Sequence, residues 1–157
     1  MKTAVIFIGI QASGKSSYYA RRYAGDYVRI NLDTLKTRHR ERLLFEDCLA
    51  KGCSFVVDNT DPQASDRARY IPEAKAAGYR IIGCYFPPDV AFSLEHNRLR
   101  EGKARVPDAA IWATAAKLEP PTYAEGFDEL YRIDNDGREF TAYAIPFSAE
   151  GGSASPA

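Results

Sequence analysis

An apolar run that ends in a glycine-rich turn leaves few folds open to this chain. Ala4-Val5-Ile6-Phe7-Ile8 is followed at once by Gly9-Ile10-Gln11-Ala12-Ser13-Gly14-Lys15-Ser16, which fits G-x-x-x-x-G-K-[ST]. A short apolar run without polar alternation predicts a strand covered on both faces, as in a parallel sheet. After such a strand, the glycines let the backbone wrap so that its N–H groups face a phosphate, and the start of the next helix adds partial positive charge. Gly9, Ile10, Gln11, Ala12, Ser13, Gly14, Lys15, Ser16 and Ser17 form the expected nucleotide cradle. Lys15 is predicted to reach the β and γ oxygens of ATP, and the Ser16 hydroxyl to ligate Mg²⁺.

The rest of the chain alternates strand and helix signals. Strands are predicted at 27–30, 53–57, 80–86 and 129–133, with helices at 15–23, 35–50, 65–77, 90–100 and 108–118. Pro72 is expected to kink or split the third of these helices. Asn135-Asp136-Gly137 is a turn signal before a possible strand at 139–145, giving an added hairpin. This alternation predicts parallel βαβ units in an α/β sandwich. One domain is expected over 1–147, with a small polar tail over 148–157 that cannot bury apolar surface and is expected to be disordered.

Two acidic residues fall at predicted strand ends. Asp58 closes Phe55-Val56-Val57-Asp58, where an acid can stand beside Mg²⁺ and hold its waters or Ser16; capping the next turn is the structural alternative. Asp33 follows the second strand, at the same carboxyl edge as the phosphate loop. It is a candidate general base toward a substrate hydroxyl, or else a helix N-cap. Later, Arg98, Arg100, Lys103 and Arg105 surround a glycine-containing loop between two helices. Such a loop can close over a triphosphate and supply charge to a transferring phosphoryl group, although a solvated helix end would read the same way. Lys36, Arg38, Arg40 and Arg42 make a local basic patch that could hold acceptor phosphates.

Composition narrows the function classes. The 21 Lys+Arg balance 21 Asp+Glu, so no whole-molecule positive field marks a duplex or an anionic membrane as partner. Within the basic set there are 14 Arg to 7 Lys, which suits bidentate phosphate contacts. Three cysteines without metal-ligand spacing argue against a disulfide framework or zinc site and for a cytoplasmic protein, and no apolar run approaches the ~20 residues of a membrane span. No signal-peptide pattern is present at the N-terminus. The absence of an N-K-x-D string counts against a GTPase, and 157 residues leave little room for the lid and partner surfaces of an oligomeric motor.

At this point the strings resemble the polynucleotide 5′-hydroxyl kinase group of phosphate-loop phosphotransferases, especially the kinase domain of animal polynucleotide kinase phosphatases. The matching residues are Gly9 to Ser16, Asn31-Leu32-Asp33-Thr34-Leu35, Asp58-Asn59-Thr60-Asp61-Pro62, Arg67-Ala68-Arg69-Tyr70-Ile71, His96-Asn97-Arg98-Leu99-Arg100-Glu101 and Pro120-Pro121-Thr122-Tyr123-Ala124-Glu125-Gly126-Phe127. The resemblance implies a five-stranded parallel sheet of order 2-3-1-4-5, Asp33 as general base, Lys15 and Ser16 on ATP and Mg²⁺, Asp58 near the metal, and Arg98 and Arg100 as lid residues. Lys36, Arg38 and Arg67 are the candidate acceptor ligands, and the 5′-hydroxyl end of DNA or RNA the expected acceptor. Two positions depart from the family pattern: Leu32 stands where Arg is common, and Lys36 where phage relatives carry Arg. A D-x-D-x-T string is absent, so 3′-phosphatase activity is not expected. A small-molecule kinase with the same base, or a non-catalytic ATP-binding module, are the alternatives.

Overall fold

A computed structural model describes residues 2–147. The tail expected over 148–157 lies outside the described residues. Six strands form one sheet in the order β2-β3-β1-β4-β5-β6. The strands are β1 (Thr3–Ile8), β2 (Val28–Ile30), β3 (Phe55–Val57), β4 (Arg80–Tyr85), β5 (Glu129–Asn135) and β6 (Phe140–Ala144). The first five pair in parallel in the expected order, and β6 returns antiparallel beside β5 across the Asn135-Asp136-Gly137 turn. The hairpin therefore makes a sheet of six strands rather than five.

β1 lies in the middle, and its residues are completely buried from Ala4 through Ile8. Its side chains alternate between two cores, one on each side of the sheet. Ala4, Ile6 and Ile8 pack with Ile30, Phe55, Val57, Ile81 and Tyr85, whereas Val5 and Phe7 pack with Val56, Cys84, Phe86 and Tyr18. The tyrosines around the first helix belong partly to this second core: Tyr18 and Tyr23 both lie against the ring of Phe7. All three cysteines are free thiols.

The helices are α1 (Lys15–Arg22), α2 (Leu32–Leu35), α3 (Arg38–Lys51), α4 (Ala64–Arg67), α5 (Ile71–Ala76), α6 (Val90–Arg98) and α7 (Asp108–Lys117). Two predicted helices are each divided. The basic helix breaks at Lys36, whose φ of 79° lies in the left-handed region, and restarts at Thr37, whose side chain accepts from the backbone N–H of Arg40. The helix with the proline divides between α4 and α5, and Pro72 occupies the first turn of α5, where its missing N–H costs nothing. Asp33 is not a cap: Asn31 caps α2 by accepting from Thr34 N–H at 3.0 Å. No helix among the described residues is long and apolar enough to cross a membrane.

Candidate active site

The carboxyl ends of β1, β2 and β3 open into one cleft of about 370 Å³, lined among others by Lys15, Ser16, Asp33, Asp58, Arg38 and Arg100. The phosphate loop joins β1 to α1 and is braced on three sides. Gly9 N–H donates to the Thr60 carbonyl at 3.0 Å, the Asn135 amide donates to the Ser13 carbonyl at 3.2 Å, and the Gln11 amide donates to Thr114 of α7 at 3.0 Å. Gly14, at φ 98°, holds a conformation that side-chain-bearing residues rarely adopt, and a Cβ there would run into the Asn135 amide. Gly9 is also close-packed, since a Cβ would lie 2.9 Å from the Cβ of Phe86.

Lys15 is buried within the loop and donates to the Ile10 carbonyl at 2.7 Å. Burial pulls its pKa down to about 8, with Asp58 acting in the opposite direction and Arg100 adding to the fall. A cation so poorly solvated is poised to gain from an anion placed beside it. Ser16 Oγ donates to Asp58 Oδ2 at 3.4 Å, and Asp58 is 2% exposed. A hydroxyl and a buried carboxylate at this separation are hard oxygen donors of the kind Mg²⁺ takes, so these residues fit the metal expected there. Arg29, which the motifs do not mark, joins both: its Nε donates to Asp58 and its Nη2 to Ser16, each at 2.8 Å.

Asp33 lines the same cleft from α2, and among the described residues its carboxylate makes no hydrogen bond or ion pair. Its loop is pinned from below. Asn31 donates to the Asp58 carbonyl at 2.6 Å, and Leu32 N–H donates to the Asn59 side chain at 2.8 Å. Asn59 in turn donates to Glu41 at 2.8 Å, a buried carboxylate that also accepts from Arg38 and from the Tyr70 hydroxyl. Glu41 is thus a hub that sequence patterning reveals only in part: Arg38 stands three residues earlier on its own helix, but Asn59 follows β3 and Tyr70 precedes α5.

The two arginines expected in a lid divide. Arg100 faces the cleft and also a second hollow beside Ser17, whereas Arg98 reaches back to the Leu94 carbonyl of its own helix at 3.5 Å and lines neither. The loop between α6 and α7 is fastened by Asn97, fully buried, which donates to the Val106 carbonyl at 2.7 Å and accepts from Val106 N–H at 3.0 Å.

The acceptor residues also divide. Arg38 lines the cleft, half exposed, while donating to Glu41 at 2.8 Å. Lys36 ends α2 on the exposed surface and does not line the cleft. Arg67 is a correction: it is 0% exposed, grips Glu125 through two nitrogens at 2.7 and 3.1 Å, and donates to backbone carbonyls of Asp61, Pro62 and Glu119. It ties α4 to the turn at Tyr123–Glu125 and is closed to any acceptor. The basic patch is smaller than its sequence suggests as well, because Arg42 is held bidentately by Glu73 at 2.8 and 2.6 Å.

The parallel sheet and the braced loop at its carboxyl edge define the class: an α/β domain of the phosphate-loop nucleotide-binding fold. Solved structures share it, including one from the PezAT toxin-antitoxin system of Streptococcus pneumoniae (TM-score 0.64, 14% identity, 98% of this chain and 75% of that one). Another is Kti12 of Chaetomium thermophilum, solved with ADP-AlF3 (TM-score 0.64, 15% identity, 87% of this chain and 91% of that one). Among curated proteins, the chain is 33% identical over 140 residues to a protein of Acanthamoeba polyphaga mimivirus named as a bifunctional polynucleotide phosphatase/kinase, covering 84% of this chain and 33% of that protein. A protein of the same name from Schizosaccharomyces pombe is 26% identical over 133 residues, covering 82% of this chain and 33% of that protein. The resemblance read from the motifs is therefore carried by named relatives, and the chain spans about a third of their length. No protein-family model matches the chain.

Proposed function

We propose that this protein is an ATP-dependent phosphotransferase acting on an alcohol, and that the alcohol is the 5′-hydroxyl of a polynucleotide. The observation that carries this reading is the unengaged Asp33 carboxylate, which faces the cleft shared with Lys15 and the phosphate loop. A loop that only bound nucleotide would not need it. Asp33 accepts the proton of the attacking hydroxyl, and Lys15 exchanges its bond to the Ile10 carbonyl for phosphate oxygens. Arg100 supplies charge from the lid side. Ser16 and Asp58 would hold Mg²⁺, which neutralises phosphate charge when bound. The names of the two curated relatives support a polynucleotide acceptor.

A small-molecule acceptor is the second reading. The pairing of Arg42, the burial of Arg67 and the position of Lys36 favour it, since together they leave little basic surface for a strand.

Labelled ATP presented with 5′-hydroxyl DNA and RNA oligonucleotides, beside nucleosides and sugars, tests both readings. Label is expected on the oligonucleotides. Asp33→Ala should lower transfer by about 10²–10⁴, the usual contribution of a general base, with ATP affinity unchanged. Equal turnover by Asp33→Ala would remove Asp33 from the chemistry, and label on a sugar or nucleoside alone would replace the polynucleotide reading.

A further inference from the structure

The two oxygens fit for a divalent cation are already bridged by a side chain of the protein itself. Arg29 lies in the middle of β2, opposite Val56 of β3. Its Nε donates to Asp58 Oδ2 and its Nη2 to Ser16 Oγ, both at 2.8 Å, while Ser16 Oγ donates to Asp58 at 3.4 Å. The guanidinium stands 5.8 Å from the centre of the Tyr19 ring, and that ring is fixed by a 2.6 Å bond from its hydroxyl to the Tyr27 carbonyl. These contacts occupy lone pairs on Ser16 Oγ and Asp58 Oδ2, atoms that a hard cation at this site would also bind. A guanidinium cannot be deprotonated to make way, so it can only move. The Arg29 side chain is 32% exposed, which gives it a direction in which to swing, whereas Asp58 is almost fully buried and would lose its directly bonded cation if nothing replaced it.

We propose that Arg29 is a resident counter-ion of the divalent-cation site: it holds Ser16 and Asp58 in register while no metal is present, and competes with the metal for them. It is a positioning residue, acting through Ser16 and Asp58. The inference rests on the reading of those two residues as the metal pair in an ATP-using enzyme. Exchange of Arg29 for metal would make an ordered site persist in the nucleotide-free protein, at the expense of metal affinity.

Mn²⁺ titrated into the wild-type protein and Arg29→Gln in the presence of ADP, followed by electron paramagnetic resonance, tests it. Arg29→Gln is expected to bind Mn²⁺ roughly three- to tenfold more tightly, as removal of one partly screened like charge would give. Without metal and nucleotide, the same variant should melt at a lower temperature than wild type. Arg29→Lys keeps the charge but offers a single donor centre, so its Mn²⁺ affinity should fall between the two; it carries the test if Arg29→Gln does not fold. Mn²⁺ affinity that is unchanged or weaker, with ADP binding intact, would overturn the counter-ion role and leave the kinase reading standing. Failure of wild type to bind ADP at all, with or without metal, would overturn both.

Discussion

Asp61 shows how much a single residue on the cleft wall can hold in reserve. It is 3% exposed, one of its carboxylate oxygens is buried without a partner, and its backbone has a φ of 41°. Burial, followed by the nearby Glu41 and Asp66, raises its pKa well above the carboxylate range. The folded protein therefore keeps this proton to higher pH than the unfolded chain does, so stability falls as pH rises from about 4 through the folded pKa. Asn cannot ionise and tolerates the left-handed backbone well. Asp61→Asn should raise the melting temperature at pH 7 by about a few degrees, because at that pH the unfolded chain gains from ionising Asp61 more readily than the folded protein does, and Asn removes that gain. The gain should shrink toward zero as pH is lowered to about 4. Melting curves of both proteins across that range are the check, and an advantage independent of pH would assign the gain to backbone geometry instead. Neither the burial of Asp61 nor that of Arg67 is legible in the sequence. Arg67 finds Glu125 at a separation of 58 residues, and a charged residue beside Arg69 in a helix-like stretch reads as surface until that partner is known.

At the scale of elements, what was local in sequence was legible and what depended on pairing was not. The strand, loop and helix around Gly9 to Ser16 could be read from spacing, and Asp58 from its place at the end of an apolar run. The break at Lys36 had no glycine or proline to announce it; the cap-forming Thr37 was the only signal. Arg29 looked like an ordinary strand residue because its partners come from α1 and the loop after β3. The loop between α6 and α7 is the element where this matters most for the proposed reaction. Asn97 closes a ring of two hydrogen bonds with Val106 across the loop, and Gln11 ties the phosphate loop to α7 just beyond it. If this loop closes over the nucleotide in the proposed reaction, its opening strains or breaks the Asn97 pair, and Asn97 is then expected to set how often the loop leaves the cleft. Asn97→Ala leaves both polar groups of Val106 without their partner. Trypsin should then cut at Arg98, Arg100 or Arg105 faster than in wild type, and the KM for ATP should rise more than kcat falls. Cleavage at the wild-type rate would mean that packing of α6 on α7 holds the loop without Asn97.

For the molecule as a whole, the balance of charge limits what kind of polynucleotide contact is physically open. Formal net charge is zero, so long-range attraction to a strand is weak and binding must come from groups that touch it. Among the described side chains, the basic ones lining the cleft are Lys15, Arg38, Arg100 and Lys117. In the proposed reaction Lys15 and Arg100 are taken by the nucleotide, which leaves Lys117 and the guanidinium nitrogens of Arg38 that do not donate to Glu41 for acceptor phosphates. Arg42 and Arg67 are already paired with Glu73 and Glu125. A surface of this kind can grip the end of a strand but cannot track along one. Each phosphate neutralised on a single strand contributes about −0.7 to the slope of log affinity against log salt. Two contacts therefore predict a slope of about −1.4, and a loss of less than about tenfold in acceptor affinity between roughly 50 and 200 mM salt. If recognition is confined to the cleft, lengthening a 5′-hydroxyl oligonucleotide beyond its first few nucleotides should leave both the affinity and the slope unchanged, because added phosphates then lie outside the reach of Arg38 and Lys117. The measurement is the KM for 5′-hydroxyl oligonucleotides of increasing length at several salt concentrations. A slope several times steeper, growing with length, would place the strand on a basic track outside the cleft and overturn end-directed recognition.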